Sequence, residues 1–337
     1  MDQAVTRGAV RNILLHPAIL SAVALWCLCN FVALKLAGGF LPFDQPRMAG
    51  MPFWERMAAP TIGMLEILAL MLVVYAMTRK RVVPDMAARA PAKAVAAREV
   101  FALLAYAMFG QAGGWLLGPA LGYRPFSFHI AGSLFSCSTL ASPGEIWVWM
   151  TYNFVVFAVL PYLWFRRRYS ARDLNLKSVA PRADLALIVV ILALESAWEL
   201  ANFHDIFRLS PSVLLVAVPL TFVIFFLGTV LPTMILIYAI LLPRYLRLTG
   251  SPVVTVLLGG LTYALMHLVE GWSNFSTPRD TALSLLFVAL SYVGPGIFKS
   301  FVTLRTGNAW VHALGYHAIA PHTLVDTPMF AKIFAIR

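Results

Sequence analysis

"SVLLVAVPLTFVIFFLGTVLPTMILIYAILL", residues 212–242, runs for thirty-one positions without a charged side chain. About 20 apolar residues already cross the hydrocarbon of a bilayer, so the segment reads as a transmembrane helix with length to spare. How often it crosses is decided by Arg244 and Arg247, which come directly after it. Short basic connections stay on the cytoplasmic side of a membrane. A second crossing would carry these arginines to the wrong side. One long helix is therefore expected, kinked or broken at Pro219, Gly228 and Pro232.

The chain on either side obeys the same rule. Hydrophobic residues make up 60% of it and charged residues 12%, with a mean hydropathy of +0.79, whereas soluble domains carry about 25% charge. Further apolar segments fall at 13–36, 57–78, 100–121, 145–165, 183–203, 252–270, 281–299 and 307–325. The fold class is all-α, a polytopic transmembrane bundle of eight or nine spans. Connections 79–98 and 166–182 are strongly basic, and Lys299 and Arg305 follow the eighth span. By contrast 122–144, 204–211 and 271–280 hold only Arg124, Arg208 and Arg279. This alternation places the N-terminus in the cytoplasm and the C-terminus outside, as in a protein of the bacterial inner (cytoplasmic) membrane.

The net charge of +11 invites a nucleic-acid partner, but the basic residues sit in short connections, where they set topology. The partner they imply is the lipid bilayer. Arg7 and Arg11 precede a first run too long for a signal-peptide core, which reads as a retained span. Cys27 and Cys29 lie two apart on an apolar helix and Cys137 alone in a connection, so neither a disulfide framework nor a thiolate metal site is expected. The stretch 126–145 reads as a re-entrant or interfacial piece on the outside.

Ionisable side chains recur at one depth. At about 1.5 Å per residue, Glu66 lies about 20 Å into the membrane, Glu195 and Glu199 about 18 and 24 Å, His267 and Glu270 about 22 and 27 Å, and His317 about 15 Å. Glu195 and Glu199 are four apart, His267 and Glu270 three apart, so on a helix each pair shares a face. Intramembrane charges are costly and rarely face lipid, which marks these positions as one shared site. His312, His317 and His322 are five apart. On a regular α-helix five residues turn about 140° past a full circle, so at most two of the three face one site, and Pro321 threatens the helix between the last two. His317 is favoured because its depth matches His267. Trp272 and Trp310 read as interfacial anchors, and His204 and Asp205 as solvated loop residues. A lone intramembrane glutamate such as Glu66 more often serves structure than chemistry.

"LLPRYLRLTGSPVVTVLLGGLTYALMHL" (241–268) and "LRTGNAWVHALGYHA" (304–318) resemble the CPBP intramembrane proteases, the family of the CAAX-processing proteases. On this resemblance 1–165 holds N-terminal transmembrane helices and 166–337 a CPBP-like core, which "DLNLKSVAPRADL" (173–185) extends weakly toward the N-terminus. Family members carry EExxxR, FxxxH and HxxxN motifs, whose glutamates activate water while the histidines and asparagine assist. Tyr263–His267 matches the second motif with tyrosine for phenylalanine, and His317 stands for the third, with Pro321 in the asparagine position. The first motif is missing: Thr233 and Met234 stand where the glutamates belong, and Tyr238 where the arginine does.

Two functions emerge. One is a divergent intramembrane hydrolase, a peptidase for a membrane-associated peptide or protein. Glu270 or the Glu195/Glu199 pair would be its general base, and His267 and His317 would polarise the carbonyl. His267, His317 and His322 could alternatively hold a divalent metal such as zinc. The other is a catalytically inactive relative that holds a partner protein, lipid or ion in the same polar interior.

Overall fold

The computed structural model describes residues 15–43, 50–128, 142–270 and 272–337. Arg7, Arg11, Cys137 and most of 126–145 lie outside the described residues. Those described are helical, without a strand. The main helices are α1 (Pro17–Ala37), α2 (Phe53–Thr78), α3 (Lys93–Ala120), α4 (Pro143–Arg166), α5 (Pro181–Asn202), α6 (Pro211–Thr249), α7 (Pro252–Leu265), α8 (Pro278–Thr306) and α9 (310–333).

Helix starts share one local cause. Ser142, Ser210, Ser251 and Thr277 each accept a hydrogen bond from the backbone N–H three residues on, with proline at the first helical position. That position has no use for a donor, and proline's fixed φ suits the helix. His16 caps α1 in the same way, its Nδ1 accepting from the Ala18 N–H at 3.2 Å. Left-handed glycines, Gly38, Gly250 and Gly307, end α1, α6 and α8.

Six helices, α1, α2, α3, α4, α6 and α8, are long and apolar enough to cross a membrane. Their outward faces carry large apolar side chains such as Leu28, Leu72, Phe109, Trp164 and Leu215, as the lipid-facing surface of an integral membrane protein requires. Of the other predicted segments, α5 carries Asp184, Glu195 and Glu199, and α7 has only 14 residues. The predicted seventh span stops at Leu265, so His267 and Glu270 lie past its end and share no helix face. The eighth runs on to Thr306, so Lys299 is a buried helical residue and not part of a basic connection.

The long apolar segment is one continuous helix of 39 residues. Pro219 lies in a regular α-helical part. Gly228 falls in one π-helical stretch, Phe226–Val230, and Pro232 between that and a second, Met234–Leu241. Proline removes a backbone donor, and looser i→i+5 turns on either side re-pair the carbonyls.

The helix ends form two groups. At the basic end, Asp184 accepts from Arg81 at 2.7 Å and from Asn308 at 2.9 Å. Asn175 donates to the Tyr238 carbonyl at 2.9 Å, while its own carbonyl accepts from Ala309 N–H. Arg89 donates to Asn175 and to the Gly307 carbonyl, and burial beside Arg172 pulls its guanidinium below its usual value. Arg244, fully buried, pairs with Glu99 at 2.6 Å between the rings of Phe165 and Tyr169. At the opposite end, Arg279 holds the Leu36 and Ala37 carbonyls, and Ser127 donates to the Val269 carbonyl. The described parts of the basic connections 79–98 and 166–182 therefore meet at one end, while Arg279 and Ser127 tie helix ends together away from it.

Candidate functional site

The interior is built around α9. Its residues 313–317 and 319–324 are π-helical, joined at Ala318, whose N–H donates to the Ala313 carbonyl five residues back. A π-turn closes at i→i+5, so a five-residue spacing returns to nearly the same face. The histidine spacing that disperses side chains on a regular helix here aligns them. The rings of His317 and His322 lie 5.1 Å apart, and the helix passes through Pro321 without ending. His322 stacks on Phe225 at 4.3 Å and stands 3.5 Å from the Asp326 carboxylate. His312 is fully buried with its ring against Tyr238 at 4.3 Å, and among the described residues neither ring nitrogen has a hydrogen-bond partner.

His317 joins three segments. Thr233 Oγ1 already donates to the Thr229 or Val230 carbonyl, at 3.0 and 3.1 Å. The 3.5 Å contact with His317 Nδ1 is therefore a donation from the ring to Thr233. His317 Nε2 is then the acceptor for the Tyr263 hydroxyl at 3.3 Å. α6, α7 and α9 meet at this imidazole. A layer back, His267 Nδ1 donates to the Tyr263 carbonyl at 2.6 Å, its ring stacked on Tyr292 at 4.0 Å. Glu270, buried, stands by the hydroxyls of Tyr263 and Tyr292.

Beside His317 a cavity of about 240 Å³ opens, lined by Glu66, Glu199, Lys299, His317 and His322 among others. Its walls include Tyr263, Tyr316, Tyr292 and Trp272. Trp272, read from sequence as an interfacial anchor, packs instead on Phe43 at 4.8 Å with 7% of its surface exposed. Glu195 lies in the wall behind, within electrostatic reach of Lys299 and Tyr316. Among the described residues Lys299 Nζ finds no hydrogen-bond partner, and it sits 3.7 Å from the centre of the Tyr263 ring, a cation–π contact strengthened by the exclusion of water. The α7–α8 crossing that sets Tyr263 beside Lys299 is tight because Gly260 and Gly296 allow the backbones to touch. A Cβ on Gly296 would meet Gly260 Cα at 2.9 Å.

Of the residues singled out from sequence, Glu199, His317 and His322 line the cavity. Glu195 stands at its wall, and His267 and Glu270 lie behind Tyr263 and Tyr292. Glu66 and Lys299, which sequence reasoning set aside as structural or as part of a connection, are cavity residues. The signal for Lys299 was the apolar run that continues the helix beyond it, Phe301 to Leu304.

As placed, His267, His317 and His322 do not converge on one point. His267 reaches His317 only through Tyr263, and its Nδ1 is committed to a carbonyl. Among the described residues no group of three or more His, Cys, Asp or Glu is placed to hold a metal ion. The side chains at the site offer carboxylate, imidazole, phenol and amine groups. Comparison of the chain with family models, with curated proteins and with solved structures finds no match.

Proposed function

We propose that the chain is a divergent intramembrane hydrolase, a peptidase for a membrane-associated peptide or protein. In this reading it crosses a bacterial inner membrane eight or nine times, its N-terminus in the cytoplasm, and its C-terminal half is a CPBP-like core. The observation that carries it is the cavity in which Glu199 and Glu66 share one wall-bound space with His317 and His322. Glu199 takes a proton from water, the Tyr263 hydroxyl, which His317 holds in place until substrate enters, turns to the substrate carbonyl and polarises it, and Glu66 in its protonated form gives a proton to the leaving group. Glu199 replaces the missing glutamates of the CPBP first motif from a different helix. Glu195, Glu270 and His267 hold the surrounding polar groups in place.

A second reading, a non-catalytic relative that holds a protein or lipid partner, is favoured by Thr233. Its hydroxyl meets His317, where the family pattern asks for a water-activating carboxylate. One experiment separates the two. Wild type, Glu199→Gln and His317→Ala are expressed at equal levels in cells lacking the protein, and new protein N-termini in the membrane fraction are mapped. The hydrolase reading expects termini present in wild type and lost in both variants. An identical set of termini in all three leaves the non-catalytic reading.

A further inference from the structure

We propose that Lys299 is a covalent carbonyl-binding residue, its amine condensing with an aldehyde or ketone borne by an apolar ligand in the cavity. A structural lysine inside a membrane spends its donors on carboxylates or carbonyls. Among the described residues Lys299 Nζ makes no hydrogen bond; the side chain has no exposed surface and lies over Tyr263 while lining the cavity. Desolvated amines in such surroundings are strong nucleophiles.

The neighbouring charges choose the ligand. Glu195 acts on the amine, and Glu66 and Glu199 line the same space. So many carboxylates repel an anionic ligand. They favour a neutral carbonyl compound whose adduct keeps a positive charge at nitrogen.

The steps balance without an oxidant. The Lys299 ammonium passes a proton through water to Glu199, which lines the same cavity, and the free amine attacks the carbonyl carbon, forming a C–N bond as the C=O pair moves to oxygen. That oxygen is protonated by Tyr263, which exchanges protons with His317 at 3.3 Å, and the nitrogen loses its extra proton to reform the phenol. Glu199 then returns its proton to the hydroxyl, the C–O bond breaks, and water leaves. One cation enters as ammonium and remains as iminium.

The inference needs only the amine and the cavity, so it stands or falls apart from the hydrolase reading. Full-length protein in lipid nanodiscs is incubated with decanal and cyanoborohydride, and adducts are located by peptide mass mapping. With cavity carboxylates to take its proton and an apolar space to hold the aldehyde beside it, Lys299 is expected to be modified about tenfold or more above Lys35, Lys80, Lys93, Lys177 and Lys332. Lys299→Arg should abolish that adduct and leave the others. Weaker enrichment in the wild-type map overturns the inference, and this map decides even if the variant fails to fold.

Discussion

Glu199 and Glu270 are both buried carboxylates, but only Glu199 lines the cavity with two histidines. On the hydrolase reading, Glu199→Gln should lower cleavage by a factor of about 10²–10⁴, the usual worth of a general base. Glu270→Gln, one layer back, should lower it by less than about tenfold. Quantifying the cleaved termini checks both, with unchanged gel-filtration profiles as the folding control. A second residue-scale test is Gly307→Ala. Gly307 has φ +63, and a Cβ there would meet Arg89 Nη2 at 2.8 Å. The left-handed backbone alone costs about 1–2 kcal/mol for a residue with a side chain, so thermal unfolding should shift down measurably. The glutamates and histidines were legible in sequence because ionisable groups stand out in an apolar chain. Lys299 was not, because a lysine near a predicted span end looks like a topology signal until the helix is seen to continue for seven residues beyond it.

At the scale of elements, Ser-Pro and Thr-Pro pairs open α4, α6, α7 and α8, whereas the apolar segments read from the sequence rested on hydropathy alone and so misplaced the ends of α7 and α8. The π-helical winding of α9 could not be read. It depends on how α9 packs along α5 and α6, whereas periodicity reasoning assumes the α-helical turn. Deleting Ala318 tests that winding. A π-turn holds one residue more than an α-turn, so the deletion should let α9 relax to α-helical winding, with the two histidines four apart and still on one face, and leave His322 on Phe225, on which it stacks at 4.3 Å. A short bifunctional thiol reagent should therefore link Phe225→Cys to His322→Cys both in the full-length chain and in the deletion. Loss of linking in the deletion would mean that the π-turn does not hold the extra residue and that the register beyond it has moved.

At the scale of the whole molecule, the described parts of the basic connections 79–98 and 166–182 gather at one end of the bundle, as the charge pattern along the chain predicts. Which face meets the cytoplasm is a prediction of its own, resting on the arginines, lysines and their partners at the end that holds 79–92 and 167–180. In a chain with its three native cysteines replaced by serine, Ala88→Cys should be protected from an impermeant maleimide in intact cells and Phe275→Cys labelled; the reverse pattern inverts the topology. The continuous 39-residue α6 then acquires a mechanical meaning. Near its last turns Arg244 is clamped by Glu99, Phe165 and Tyr169, while Thr233 touches His317 and Tyr238 lies against His312 in its middle. At about 1.5 Å per residue the rod is roughly 58 Å long, far more than the bilayer's hydrocarbon. Clamped near one end and packed against α9 over its first half, the rod serves as a ruler that fixes how far the histidines stand from the Arg244 clamp.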